Sequence, residues 1–247
     1  MTLYERYLNG ETEKVYEDIH KLGKNAFLPD TIVDIEKVLT ETFERVAFNL
    51  DIIYKELVEM NYLFKTDVQF NFERPLIKPL PQTDQLLSEL NEIVKPFGFV
   101  PTSLKLFYKI VGACNFEWDY NTNEDFIWEC ADPIQIISLD DLISYIAEED
   151  NQEIFQESYE EDGFIHLELS SDYLHKDNIS GGMPYSLQIT QEPSIDSNFL
   201  YEEHHTTFIN YLRICFDNCG FSRITNPEYD NDYKAFFKKV KPQLKKI

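Results

Sequence analysis

The side chains most able to bind a metal ion are four cysteines and a nearby pair of histidines. The cysteines are Cys114, Cys130, Cys215 and Cys219. Cys215 and Cys219 are four residues apart in a segment with helical spacing, so their thiols face the same way, and His204 and His205 lie shortly before them. Structural zinc sites carry two closely spaced ligand pairs, which this chain lacks. We therefore predict reduced cysteines that are buried as packing residues, with no metal and no cofactor.

A second motif with chemical meaning is His166-Leu167-Glu168, which matches the first half of the H-x-E…P-C-x-x-C signature of zinc deaminases. The second half is missing, and in a strand the two polar side chains would simply share one face. Acidic pairs such as Asp140-Asp141 could hold a metal ion or do acid–base chemistry, but adjacent helical residues point apart. The chain has no G-x-S-x-G, Walker, G-x-G-x-x-G or H-E-x-x-H motif. The sequence therefore favours a protein that is not an enzyme.

Gly181-Gly182-Met183-Pro184-Tyr185 forms a glycine-rich turn before an alternating segment. Successive glycines either form a nest of N–H groups for an anion or supply positive φ for a tight turn. Because the surrounding chain is acidic, we interpret both glycines as turn residues.

The elements that must position these residues begin with helices. From Ile32 to Leu57 apolar residues recur every three or four positions, which predicts one amphipathic helix of about 30 residues. A shorter helix precedes it, with Gly23 at its end and Pro29 at the start of the long one, and we expect the two to pack as a hairpin. Further helices are predicted at about 83–95, Pro101 to Gly112, Thr206 to Asn218 and around Ala235-Phe236-Phe237.

Strands are predicted in the second half of the chain. Phe164 to Leu169 and Tyr185 to Ile189 alternate between apolar and polar residues. Trp128 to Ile137 is expected to be extended, with Pro133 producing an edge or a bend. Ser138-Leu139-Asp140-Asp141 is typical of a helix start.

These patterns predict an α+β fold with a sheet flanked by helices, preceded by an all-helical N-terminal hairpin. Pro75, Pro79 and Pro81 lie in a segment without periodicity, which indicates a boundary. The predicted division is a helical region over 1–64, a linker over 65–82 and an α+β domain over 83–247.

Negative charge is concentrated in the middle of the chain. The formal net charge is −23, and residues 110–175 hold 18 acidic residues with no Lys or Arg. Binding of DNA or RNA would bring like charges together, so the sequence excludes nucleic acid as a partner. An acidic surface attracts a basic protein, and the alternative is a solvated face that keeps the protein soluble. A lysine cluster from Lys234 to Lys246 is expected to be a solvated tail or to contact the acidic segment.

The sequence indicates no membrane association. It contains no run of about 18 apolar residues, so no membrane-spanning helix is predicted. The first residues, Met1 to Arg6, have neither a basic n-region nor an apolar h-region. We therefore expect a cytoplasmic protein.

Four segments of the second half form an ordered set of motifs. Phe99 to Gly112 has a Pro-x-Ser-Leu entry, a mid-helix aromatic residue and a glycine exit. The others are Trp128 to Ile137, Ile179 to Leu187 followed by Asp196, and Phe208 to Arg213 leading to Gly220-Phe221. In this order the motifs resemble those of the SUKH superfamily over about residues 83–225. Ala113-Cys114-Asn115 departs from the small Gly/Asn-rich turn that often follows the first helix of that superfamily.

The resemblance implies an α+β fold with a sheet flanked by helices. Bacterial members of the superfamily are mostly immunity proteins that neutralise polymorphic toxins, many of them nucleases. Related yeast proteins regulate cell-wall glucan synthesis through protein contacts. Neither role implies catalytic residues in this domain, in agreement with the missing motifs.

We therefore predict a non-enzymatic immunity protein that binds a basic toxin domain through an acidic surface. The alternatives are a regulatory protein-interaction scaffold and, third, a metal-dependent enzyme that uses the acidic segment. Aromatic anchors would be needed for tight binding, and Trp118, Tyr120 and Trp128 are candidates, although each tryptophan also fits the core. The predicted contact residues are Trp118, Asp119, Tyr120, Glu124, Asp125, Glu148, Glu149, Asp150, Glu153 and Glu157.

Overall fold

A computed structural model describes residues 1–66, 75–122, 128, 130–223 and 231–247 and has the predicted α+β architecture. Its helices are α1 Leu3–Leu8, α2 Thr12–Leu22, α3 Pro29–Glu59, α4 Thr83–Val94, α5 Thr102–Ile110, α6 Leu139–Ile146, α7 Glu149–Asp162, α8 Tyr173–Lys176, α9 Phe208–Asp217 and α10 Asn231–Val240. Its strands are β1 Leu76–Ile77, β2 Ala113–Asn115, β3 Gln135–Ile136, β4 Ile165–Ser170, β5 Tyr185–Ile189 and β6 Phe199–Leu200. Short 3₁₀ turns lie at Gly23–Phe27 and Lys241–Gln243.

The long helix predicted from the apolar spacing is confirmed as α3. It has 31 residues and starts with Pro29 in its first turn. The N–H groups of a first turn have no partner within the helix, so the missing N–H of proline costs no hydrogen bond there. The predicted face is buried from Ile35 to Leu57, while Ile32 is half-buried. α2 ends before Gly23, as predicted.

The N-terminal helices share one hydrophobic core with the rest of the described chain. Phe43 of α3 packs edge-on against Phe107 of α5, with ring centroids 6.0 Å apart. Beyond α3, Tyr62 packs against Trp118 at 5.0 Å, and its hydroxyl donates to the Phe116 carbonyl at 2.7 Å. The predicted linker over 65–82 contains β1, which pairs with β2. Removal of the helical front would therefore expose the core of the α+β part.

The strands form two three-stranded antiparallel sheets, ordered β1-β2-β3 and β4-β5-β6. In the second sheet Ile165 pairs with Ile189 and Leu167 with Leu187. These four side chains are fully buried, as the predicted alternation requires. The Ile137 N–H donates to the Leu169 carbonyl at 2.9 Å, so the chain leaving β3 contacts β4.

The extended segment predicted from Trp128 to Ile137 is much shorter in the structure. Only β3 is a strand, and Pro133 makes a single bridge to Phe221. Cys130 and Asp132 have φ angles of 59° and 54°, in the left-handed region. Because a strand requires negative φ, these two residues end it, and apolar composition alone does not reveal that conformation.

α7 has no counterpart among the predicted elements. Along its 14 residues only Asn151 and Phe155 are buried, and Ile154 is exposed. The helix therefore lacks the apolar stripe on which a periodicity argument depends. α7 ends at Gly163, whose φ of 77° forms the left-handed C-cap before β4.

Gly112, at the predicted exit of α5, is required by the backbone. Its φ is 96°, and a Cβ there would lie 2.7 Å from the carbonyl carbon of Lys78 and overlap the carbonyl oxygen of Ile77. Gly112→Ala should therefore lower the free energy of unfolding by about 1–3 kcal/mol and disturb the β1–β2 pair. Urea unfolding measures this loss. Gly163→Ala is the matched control, because it has positive φ without a neighbouring atom within 4 Å. An equal loss in both variants would show that the close approach to β1 is unimportant.

Candidate functional site

The acidic residues that the structure describes between 110 and 175 include two that are fully buried and a group that is exposed. Glu117 and Asp132 are 1% exposed, and each pairs with a lysine from outside that segment. Lys65 lies 2.7 Å from Glu117, and Lys176 lies 2.6 Å from Asp132. The cations that the segment lacks are therefore supplied, for these buried acids, by tertiary structure.

The exposed group lies on and beside α7 and forms the acidic face. Its members are Glu148, Glu149, Asp150, Glu153, Glu157, Glu160, Glu161 and Asp162. Within the described residues only Asp162 has a possible ion pair, with His166 at 3.3 Å, which is charged only if the histidine is protonated. The structure thus brings together Glu148, Glu149, Asp150, Glu153 and Glu157 of the predicted contact set. The structure adds Glu160, Glu161 and Asp162 to this set. They lie beside the other acidic residues because all of them belong to or adjoin α7, a helix that the sequence patterns do not predict.

The charge pattern along most of α7 opposes helix formation, although the helix dipole favours Glu149 and Asp150 in the first turn. Glu149, Glu153, Glu157 and Glu161 follow one another at four-residue intervals, so like charges are neighbours on the helix surface. Each such pair costs about 0.2–0.5 kcal/mol. Glu160, Glu161 and Asp162 also lie at the negative end of the helix dipole. A cationic surface brought against this face would remove both penalties.

α7 is held in place from its other side. Phe155 and Tyr159 pack against Phe97, with ring centroids 6.0 and 5.8 Å apart. The Asn151 side chain donates to the Tyr145 carbonyl and the Gln152 side chain to the Ile146 carbonyl, so α7 is hydrogen-bonded to the end of α6, where a helix leaves carbonyls without intrahelical donors. The helix that carries the acidic face is therefore fixed to the core by its opposite side. Ile154 of the same helix is 55% exposed and lies among the acidic side chains.

The predicted aromatic anchors are placed differently. Trp118 is 6% and Trp128 is 1% exposed, so both belong to the core and not to a contact surface. Tyr120 is half-buried and donates to Asp177 at 3.2 Å, and Asp119 accepts bonds from the turn that follows it. These contacts attach residues 118–120 to a different part of the molecule from α7. Of the remaining predicted contacts, Glu124 and Asp125 lie outside the described residues.

The cysteines give no sign of metal chemistry. Cys114, Cys215 and Cys219 are buried, as predicted, but Cys130 is exposed on the left-handed turn before β3, which corrects that prediction for one of the four. Burial raises the pKa of Cys114 and of Cys219 to about 12, so both thiols stay protonated. Among the described residues no group of three or more His, Cys, Asp or Glu side chains could hold a metal ion.

His166 and Glu168 share one face of β4, as predicted for a structural pair. The His166 ring lies 2.9 Å from the Tyr201 hydroxyl and stacks on the Tyr201 ring. Glu168 accepts a hydrogen bond from Tyr145 at 2.9 Å. Both side chains are therefore engaged with neighbouring tyrosines.

Two further predictions concern the glycine turn and the C-terminal lysines. Gly181 and Gly182 have φ angles of 127° and 91°, so both supply the positive φ that the turn interpretation requires, in a segment that is neither helix nor strand. The lysines do not reach the acidic face: Lys239 pairs with Glu56 and Glu59, and Lys246 pairs with Glu13. These three acidic partners belong to the N-terminal helices, whereas Lys241 pairs with Asp217 of α9 at 2.7 Å. Lys239, Lys241 and Lys246 are therefore ion-paired outside residues 110–175.

A cleft of about 700 Å³ separates α2 from the segment that leads into α9. Glu13, Glu17 and Asp196 contribute acidic groups to its walls, and Arg213 contributes a guanidinium beside the Tyr16 ring. Burial raises the pKa of Asp196, although Ser103 and the Ile209 N–H donate to its carboxylate. Charges of both signs line the cleft, so it selects neither anions nor cations.

Comparison of the chain with protein-family models, with curated proteins and with solved structures found no match. The resemblance to the SUKH superfamily accordingly stays a prediction. In the described part of the chain no helix is both long enough and apolar enough to cross a lipid bilayer.

Proposed function

We propose that this protein is a non-enzymatic immunity protein whose acidic face on α7 binds a basic toxin domain. The observation that carries the proposal is the set of eight exposed acidic residues at α7, which lack lysine or arginine partners in the described chain. The four-residue spacing of Glu149, Glu153, Glu157 and Glu161, with the acidic residues of the last turn, destabilises the isolated helix. Binding to a cationic surface offsets that penalty.

The chemistry of the partner follows from the face. A nuclease that has a cationic cleft for its substrate offers complementary charge, and steering between such surfaces raises association rates by about 10–1,000-fold. The resemblance to the SUKH superfamily supports the same class of partner. Charged rims seldom supply most of the binding energy, so an apolar anchor is needed. With Trp118 and Trp128 in the core, Ile154 is the exposed apolar side chain on α7 suited to that role.

A non-catalytic role is supported by the contacts of the histidine, glutamate and cysteine side chains that were considered for catalysis or metal binding. His166 and Glu168 contact tyrosines, and the thiols of Cys114 and Cys219 are held protonated. The most acidic exposed region is a helix surface, and its residues do not line the cleft beside α2. An exposed charged face outside that cleft favours a macromolecular partner over a small substrate, which needs a concave site.

Affinity capture from a lysate of the protein's own host tests the proposal. We expect one stoichiometric partner with a toxin domain, retained at low salt and lost as the salt concentration approaches about 1 M, where the Debye length falls to about 3 Å. Captured partners are identified by mass spectrometry. Several cytoskeletal or signalling partners, or a partner held equally at both salt concentrations, would contradict the proposal and favour a regulatory scaffold.

A further inference from the structure

The segment Leu244–Ile247 is recognised through its main chain by side chains of two helices. Asn49 of α3 donates its amide to the Lys245 carbonyl and accepts the Lys245 N–H, both at 2.8 Å. Asn49 is fully buried on a face of α3 whose other buried residues are apolar except Thr42 and Glu56. A single amide therefore pairs with both polar main-chain groups of one residue, as a neighbouring strand would.

Arg45 and Phe48 extend this contact along the same face of α3. Arg45 donates to the Lys246 carbonyl at 2.8 Å, while Glu41 at 2.7 Å and the Tyr7 ring hold its guanidinium in place. The Phe48 ring lies 4.3 Å from the Lys245 ammonium. Positions 45, 48 and 49 are neighbours on a helix surface, so they act as one site.

The end of the segment is held by α9. Arg213 donates from Nε to the main-chain oxygen of Ile247 at 2.9 Å, and the Ile247 side chain is only 2% exposed. Lys246 adds an ion pair to Glu13 of α2, but both side chains are more than 60% exposed, so this pair contributes little. The segment is therefore recognised through main-chain oxygens, one N–H, the aliphatic side chain of Ile247 and the ammonium of Lys245 over the Phe48 ring.

We propose that Arg45, Phe48 and Asn49 of α3, together with Arg213 of α9, form a binding site for an extended peptide. The chain's own residues Leu244–Ile247 fill this site as a displaceable latch. The partner that fits is a peptide with an aliphatic residue at the Ile247 position and a basic residue at the Lys245 position. Main-chain recognition of this kind accepts the same peptide from outside the chain.

Competition in the full chain tests the proposal. The probe is a fluorescent peptide with the sequence of residues 241–247, measured by anisotropy at about 1 M salt so that non-specific attraction to the acidic surface is screened. A scrambled peptide of the same composition is the control. We expect Ile247→Asp, which weakens the internal latch, to bind the probe at least about tenfold more tightly than the wild-type chain does.

Adding Asn49→Ala to Ile247→Asp should weaken probe binding about 10- to 100-fold, because two hydrogen bonds are lost. Arg45→Gln serves as a second site variant, since Arg45 is only partly buried and its loss leaves the core intact. Circular dichroism checks that each variant is folded. Failure of the folded Ile247→Asp chain to bind the probe, or equal binding of the scrambled peptide, would overturn the proposal. Equal binding by the wild-type chain would show that the segment is not a latch.

Discussion

Asp132→Asn is expected to lower the free energy of unfolding by about 3–5 kcal/mol, the loss typical of a buried charge deprived of its partner. Lys176 has no exposed surface, and its ammonium lies 2.6 Å from the Asp132 carboxylate. The same carboxylate accepts hydrogen bonds from Tyr185 at 3.0 Å and from Ser222. Asparagine keeps the size of the side chain and tolerates the φ of 54° at this position, so the substitution changes mainly the charge.

Tyr185 adds a second buried donor that needs the Asp132 carboxylate as its acceptor. Burial, with the negative charge of Asp132 beside it, raises the pKa of Tyr185, so the hydroxyl stays protonated at neutral pH and donates to Asp132. Its ring also lies 4.8 Å from the Lys176 ammonium. Asparagine offers one acceptor oxygen where the carboxylate offers two, so the lysine, which bonds Oδ1, and the tyrosine and serine, which bond Oδ2, cannot all keep their acceptor.

The double variant Asp132→Asn with Lys176→Met is the control. It removes both charges, and replacing a whole buried pair by neutral groups is often close to neutral in stability. We therefore expect it to be more stable than Asp132→Asn alone, as measured by urea unfolding of each variant. A double variant no more stable than the single one would mean that the ion pair is not what makes Asp132 important.

Neutralising Glu153, Glu157 and Glu161 to glutamine should affect binding and stability in opposite directions. Association with the basic partner is expected to slow by about 10–1,000-fold at low salt, because electrostatic steering is lost. The difference should shrink as salt screens the wild-type chain. Stability should rise by about 0.6–1.5 kcal/mol, since three like-charge pairs at four-residue spacing disappear.

The matched control for this variant is Glu36, Glu44 and Glu89 changed to glutamine. These residues are exposed on α3 and α4, have no ion pair in the described structure, and give the same change in net charge. Stopped-flow association with the captured partner and thermal unfolding measure the two effects. Equal slowing in both triple variants would show that net charge, and not the acidic face, governs association.

Prediction from sequence depended on whether an element carries a repeating apolar pattern. α3, β4 and β5 bury one face along their length, so spacings of three to four or of two residues revealed them. α7 buries few side chains, so it has no repeating apolar pattern. It is stabilised by packing against Phe97, which is distant in sequence, and by side-chain hydrogen bonds to the end of α6. Neither contact can be recognised from the local sequence. The composition of the segment before β3 predicts an extended strand, but residues 130 and 132 have left-handed φ angles that interrupt it.

The sequence alone determined the α+β class, the long N-terminal helix, the alternating strands and the concentration of acidic residues in the middle of the chain. These properties depend on composition and on the spacing of apolar residues within a short segment, so they can be recognised without knowledge of the rest of the fold. Only the tertiary structure decided which acidic residues face solvent. Glu117 and Asp132 are neutralised by Lys65 and Lys176, 52 and 44 residues away, and Trp118 is buried against Tyr62. Such pairings follow from how the whole chain packs, because the free energy of burying a charge depends on the partner that the fold brings to it.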